Sequence, residues 1–309
     1  RITEGSAHIM SSWFVSIEGT EFGHQVAVAL ALFAAVLHAF FGVLQKGRFD
    51  PWLTRGAVDF CYSMISLPLV LFVVPLPEPH LWGILGIAMI IHIVYKFAQA
   101  TAYTQGAFTV VYPVIRGVSP IFTALGAYIL FREVFNLIQW LGVGLLVSGI
   151  FGLTSYNLRH IQVDRETLVP AIWMAVMTGA LVAAYTTWDA YGIRATADPF
   201  TFLAWFFFLD GPLMSAVAYL RWRAMDPRPE VVPLMARGFV GGIVAYFSFG
   251  SVLLATRIDN VGQAAVLRET SVIFAAILGW IILKEGVGPR RLMLIVLIAA
   301  GAVLVEIGA

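Results

Sequence analysis

The stretch RGVSPIFTALGAYILFRE, Arg116 to Glu133, decides how this chain folds, because RETSVIFAAILGWIILKE, Arg268 to Glu285, repeats it 152 residues later. In each copy an arginine is followed sixteen residues on by a basic residue and a glutamate, Arg132-Glu133 and Lys284-Glu285. Between these marks lie Ser119-Pro120-Ile121-Phe122 in one copy and Ser271-Val272-Ile273-Phe274 in the other. Each copy is about as long as a bilayer span and carries an arginine inside it. Arginine at the centre of a hydrocarbon span costs about 2.5–3.5 kcal/mol on insertion scales, so it needs a partner or a watery cavity. A duplicated membrane protein with polar groups near the midplane reads first as a transporter.

Composition agrees with a membrane setting. The 309 residues are 60% hydrophobic and 12% charged, with a mean hydropathy of +0.87. A soluble domain carries about 25% charged residues, so that class is excluded. A net charge of +1 argues against a nucleic-acid surface. The single cysteine, Cys61, rules out an intrachain disulfide and a multi-cysteine metal site, and reads as small buried filler. Gly142-Val143-Gly144 lacks the third glycine and the preceding strand of a dinucleotide loop. No cofactor and no enzyme chemistry are expected. The opening RITEGSAHIM, Arg1 to Met10, reads as a tag remnant outside the fold.

Ten apolar runs are long enough to cross a bilayer: 24–45, 56–75, 80–104, 107–131, 136–155, 168–192, 199–222, 233–256, 261–283 and 290–307. The third and fourth nearly merge at Gly106. The repeat sets runs three to five on runs eight to ten, with Gly149 on Gly301. Five helices per half is odd, so the second half enters the membrane upside down relative to the first. The expected architecture is an all-α membrane protein: ten transmembrane helices as two inverted five-helix repeats, residues 24–155 and 168–307, around a central cavity. Loops after odd-numbered runs, counting Arg55 among them, hold twelve Lys and Arg; loops after even-numbered runs hold only Arg132, Arg194 and Arg257. That bias places both termini on the periplasmic side of an inner membrane.

The third run carries His92, Lys96, Gln99 and Tyr103 at intervals of four, three and four, with Tyr95 beside them, all on one helical face. The fourth run repeats the pattern with Tyr112, Arg116, Ser119 and Thr123, and its Pro113 and Pro120 predict a bend that frees carbonyls. Arg268 and Glu269 lie mid-span in the ninth run. Other polar groups at depth are His38, Tyr185, Trp188, Asp189, Asp210, Tyr246 and Ser248. Lys96, Arg116 and Arg268 set against Asp210 and Glu269 leave one cation in excess, which suits a cargo bearing a carboxylate or phosphate. Plainer readings stand beside these. Arg268 and Glu269 equally fit a structural ion pair, and His38 fits a hydrogen-bonded packing residue. Trp82, Trp140 and Trp222 fit the interfacial belt, Arg132-Glu133 and Lys284-Glu285 fit helix caps, and Gly238 with Gly242 fits a close helix contact.

The arginine in a Pro-bearing fourth helix, the basic-Glu pair and the Gly-rich stretch from Gly142 to Gly152, echoed by Arg268 to Glu285 and Gly301, resemble the EamA-type ten-helix branch of the drug/metabolite transporter superfamily. Within it, the aromatic and polar third-helix face is similar to the YddG-type exporters of aromatic amino acids. The resemblance implies a basket of ten helices closing alternately to each side, with His92, Tyr95, Tyr112 and Trp188 lining the cavity. Two departures stand out. Ala265 and Val272 replace the prolines in the second copy, and the first helix offers His38 in place of a mid-span carboxylate. Ten-helix members are drawn with cytoplasmic termini, against the loop charges here.

The expectation is a bacterial inner-membrane exporter of amino acids, aromatic or hydrophobic ones preferred, and of related small metabolites. The cargo carboxylate would face Arg116, Arg268 or Lys96, and its side chain would lie among Tyr95, Tyr112, Tyr246 and Trp188. Gln99 and Glu269 complete the expected binding set; His38, Tyr185 and Asp210 form a secondary one. Drugs, nucleosides or other metabolites are the alternative cargo, and a membrane protein that transports nothing is the third class. The partners are lipid and an amino-acid-like small molecule, with no nucleic acid. Two fused halves make a monomer sufficient.

Overall fold

A computed structural model describes residues 11–45, 49–105, 108–158, 165–283 and 288–309. The expected tag remnant, the boundary at Gly106 and the Lys284-Glu285 pair lie outside them. Every regular element among the described residues is a helix: α1 Glu21–Gln45, α2 Pro51–Phe72, α3 Pro79–Gln105, α4 Phe108–Phe131, α5 Leu137–Leu158, α6 Arg165–Arg194, α7 Pro199–Ala224, α8 Val231–Ile258, α9 Val261–Glu269, α10 Ser271–Leu283 and α11 Pro289–Ile307. Lipid cannot hydrogen-bond the backbone, so a chain this apolar resolves into helices that satisfy their own N–H and C=O groups. Nine spans are apolar enough to cross a membrane among the described residues, the ninth running through α9 into α10, and α11 supplies the shorter apolar helix Leu292–Ile307. Exposed Phe72, Ile90 and Ile129 belong to the lipid-facing surface.

The second helix of each half opens on the same device. Asp50 and Asp198 are N-caps, each followed by a proline that has no N–H to satisfy. The Asp50 carboxylate accepts from Trp52 N at 2.8 Å, and that of Asp198 from Phe200 N at 2.9 Å.

Packing follows the inverted repeat. α1 lies along α8 as α6 lies along α3, and α4 lies along α6 as α9 and α10 lie along α1. α2 pairs with its own mate α7, and α5 with α11. The α5–α11 crossing is close because it is built on glycine. A Cβ on Gly142 would stand 2.6 Å from the Gly301 carbonyl oxygen, and one on Gly149 the same distance from Ile298. Gly238 and Gly242 make a second close contact, where a Cβ would meet Ala57 at 2.7 Å and buried Cys61 at 2.9 Å.

The structure adds detail to three sequence readings. The proline-bearing α4 runs as one helix from Phe108 to Phe131 with Pro113 and Pro120 inside it, and an interruption falls in the copy without prolines, at Thr270 between α9 and α10. There the threonine hydroxyl and its own N–H both bond to the Leu267 carbonyl, at 2.6 and 3.1 Å, which tightens one turn and ends the α-helical register. Glu133 is a cap, but of another helix. Its two oxygens accept from Val261 N and Gly262 N, each at 2.9 Å, at the start of α9. Arg55 belongs to no loop. It lies inside α2 and pairs with Asp59 one turn on, at 2.9 Å.

Candidate functional site

The polar faces read from the sequence turn inward. His92, Tyr95, Lys96 and Gln99 of α3 are buried, as are Tyr112, Arg116, Ser119 and Thr123 of α4. Midway along the helices the α3 face meets α1, α2, α6, α7, α8 and α9 around a cavity of about 60 Å³. Aromatic rings fill most of its wall. The His92 ring lies 4.6 Å from Tyr185 and 4.9 Å from Phe206, and Tyr95 lies 4.8 Å from Tyr185. Phe207, Phe249 and Phe41 close the remainder, and the polar lining is His38, Arg55, Tyr62, Asp210, Ser248 and Arg268.

Two charge networks stand behind that wall. In the first, Lys96 Nζ lies 2.6 Å from Asp59 and 2.8 Å from the Asp210 carboxylate. It also donates to the Asp210 carbonyl at 2.8 Å and to the Tyr62 hydroxyl at 3.0 Å, while that hydroxyl donates to Asp210. In the second, the repeat-related Arg116 and Arg268 converge on one carboxylate. Arg116 Nη1 donates to both oxygens of Glu269 at 3.3 Å, and Arg268 Nη2 to one of them at 3.1 Å. Arg116 also donates to His38 Nε2, and Arg268 to the Thr186 hydroxyl at 3.4 Å. Buried charges keep their ionised form only when paired and hydrogen-bonded in this way.

The expected site is therefore split. His92, Tyr95 and Arg268 reach the cavity, as do His38, Tyr185 and Asp210. The others stand away from it. Lys96 and Glu269 are 0% exposed, because each is enclosed by its counter-charges. Arg116 is held by Glu269 and His38. Gln99 donates to the Tyr95 hydroxyl at 2.7 Å, and Tyr112 stacks on His38 with its hydroxyl 3.4 Å from Ser271. Trp188 donates to the Ile84 carbonyl at 3.0 Å and leans on Tyr191. Tyr246 stacks on Phe207 at 4.2 Å, one layer behind the wall.

Sequence reading missed Asp59, which is 0% exposed, and the inward role of Arg55. The signal was present: an Arg-Asp pair at i,i+4 inside an apolar helix. It also left Asp189 without a role, although His92 Nε2 lies 2.7 Å from its carboxylate. The expected excess of one cation disappears as a result. Arg55, Lys96, Arg116 and Arg268 face Asp59, Asp189, Asp210 and Glu269, four against four. Among the described residues no cluster of three or more His, Cys, Asp or Glu could hold a metal ion. The site can bind and orient a small amphipathic molecule. It presents a guanidinium, a carboxylate and stacked rings to the same small space.

A model of the EamA-like transporter family matches residues 25–155 and again residues 169–307. An uncharacterized transporter of Synechocystis is 26% identical over 218 residues, which is 68% of this chain and 62% of that protein's own length. A solved crystal structure superposes with a TM-score of 0.74 at 16% identity, covering 91% of this chain and 96% of the other, a likeness of fold alone.

Proposed function

The chain belongs to the EamA-like transporter family, and from that premise we propose that it exports amino acids, aromatic or hydrophobic ones preferred, and related small metabolites. The observation that carries this reading is the cavity between the halves, where Arg268 and Arg55 face Asp210 across aromatic rings. A zwitterion fits that balance better than an anion does, since the interior charges cancel. Its carboxylate meets Arg268, its ammonium meets Asp210, and its side chain stacks among Tyr95, Tyr185, Phe206 and Phe249. Lys96 and Arg116 shape the site from behind. In this reading the halves move to admit cargo to this ring-walled cavity.

Alternating access is supported by a difference between two repeat-related contacts, each joining the halves. Leu53 and Leu234 share a core cluster, and beyond them α8 closes on α2 at Gly238 and Ala57. The repeat mates of the first pair, Trp205 and Trp82, are also in contact, with ring centroids 5.4 Å apart. The mate of Gly238 is Gly86, and a Cβ there would meet nothing within 4 Å. One of these contacts is thus closed and its repeat mate open, and exchange of the two arrangements opens the site to the opposite side. In this reading the chain works as a monomer in the inner membrane, with both termini periplasmic.

The test is flux of labelled amino acids across liposomes containing the purified chain, beside Arg268→Met and Tyr185→Ala. Each substitution lowers flux of the preferred amino acid at least about tenfold, equivalent to ~1.4 kcal/mol. Wild-type vesicles no faster than empty ones across the common amino acids would refute the cargo.

A further inference from the structure

We propose that His92 is a proton-binding site: its imidazole, wedged between Asp189 and Asp210 at the cavity wall, takes up a proton that exchanges with the cargo's ammonium group. The coupling, though not the site, rests on the cargo reading above.

Partnering of the buried carboxylates is uneven. Asp59 has Arg55 and Lys96, Asp210 has Lys96, and Glu269 has Arg116 and Arg268. Asp189 is 0% exposed and, among the described residues, its ion-pair partner is His92 alone, a group whose charge is not permanent. Neutral imidazole has one N–H. Directed at Asp189 from Nε2, it leaves the Nδ1 lone pair 3.8 Å from Asp210 Oδ1. Nδ1 and Asp189 Oδ1 are both buried with no hydrogen-bond partner in the structure. A second proton turns Nδ1 into a donor facing a carboxylate and gives Asp189 a full counter-charge. The geometry is complete only with that proton.

Other ionisable groups surround the pair. From α2, Tyr62 and Arg55 line the same cavity as the ring, joined to Lys96 of α3 and to Asp59 respectively, and Asp59 is held by Arg55 and Lys96. Tyr95 stands beside the ring on α3 itself, and Tyr185 beside Asp189 on α6. α7 presents Asp210, while α8 presents Phe249 and Ser248, which do not titrate. His38 of α1 and Arg268 of α9 line the same cavity, occupied by Arg116 and Glu269 respectively.

Position makes the proton consequential. The ring belongs to the first half and both carboxylates to the second, so protonation fastens the halves across the cavity. An ammonium arriving at Asp210 repels the imidazolium, and the proton leaves from Nδ1 to cavity water. The balance is one proton released to water for one neutral zwitterion bound, its ammonium at Asp210 and its carboxylate at Arg268, and no covalent bond of the cargo changes.

The experiment has two arms. In the first, no cargo is present. Proton uptake by the detergent-purified chain is measured with an indicator dye on moving from about pH 8 to about pH 5, the range in which histidine titrates. Asp189→Asn and His92→Gln, each checked for monodispersity, should take up close to one proton fewer than wild type. Equal uptake by wild type and both variants would overturn the site, whatever the protein carries. In the second arm, phenylalanine flux is measured in liposomes with and without an imposed pH gradient. The gradient-to-no-gradient ratio should be several-fold for wild type and fall to about one in Asp189→Asn, whatever absolute rate remains. A wild-type ratio of one with brisk flux would overturn the coupling. An uptake difference in the first arm with no flux of any amino acid would leave the proton site standing and remove the cargo instead.

Discussion

Glu269→Gln should be among the most damaging single substitutions in this protein, and its cost can be worked from the geometry. The carboxylate is 0% exposed and neutralises two guanidiniums, Arg116 at 3.3 Å and Arg268 at 3.1 Å. At an effective dielectric near 20, one such contact at ~4 Å is worth roughly 4 kcal/mol of attraction, and both vanish together. Glutamine keeps the shape and one acceptor oxygen, while His38 and Thr186 still accept from the stranded arginines. Breaking a buried pair costs about 3–5 kcal/mol, and that is the expected loss. Cys61 offers the assay. It is the chain's one cysteine and is buried, so a thiol-reactive fluorogenic dye reports unfolding in detergent on heating or SDS titration. A second variant isolates the cause. Glu269→Gln combined with Arg268→Met removes one of the two uncompensated charges and should recover at least about 1 kcal/mol. Glu269→Gln within about 1 kcal/mol of wild type, or a double variant no better than the single, would refute the ion-pair reasoning.

Two further predictions concern the joints between the halves. Glu133→Ala strips both capped N–H groups at the start of α9 and should cost about 0.5–2 kcal/mol in the same assay, with Arg132→Ala nearly silent. Gly238→Ala, where even a Cβ meets the Ala57 backbone at 2.8 Å, should push α8 off α2 and destabilise the chain in the Cys61 assay. The repeat mate Gly86→Ala meets nothing within 4 Å in this arrangement, so it should leave stability within about 1 kcal/mol of wild type yet cut flux several-fold, because the exchanged arrangement closes on it. Wild-type flux in Gly86→Ala would argue against rocking.

The sequence by itself determined the membrane setting, the helical spans, their inverted duplication and the inward direction of the polar faces. Those follow from local physics. Span length is set by bilayer thickness, helix by the absence of competing hydrogen bonds in lipid, and facing by a spacing of three and four. The caps on Asp50 and Asp198 are readable too, since an aspartate followed by proline suits a helix start, although the third such pair, Asp226-Pro227, lies in the loop before α8. Which ionisable groups meet was decided only by the tertiary structure. Lys96 and Arg116 looked as available as Arg268, yet the first two are enclosed by carboxylates from α2, α7 and α9, while Arg268 keeps an edge on the cavity. Asp59 was silent until α2 came to lie beside α3, and together with Arg55 and Asp189 it cancels the cation excess counted along the chain. The interruption in the ninth span arose where one threonine competes for a carbonyl, in the copy without proline. A buried charge is governed by its nearest counter-charge, and here the nearest one mostly lies tens to more than a hundred residues away along the chain.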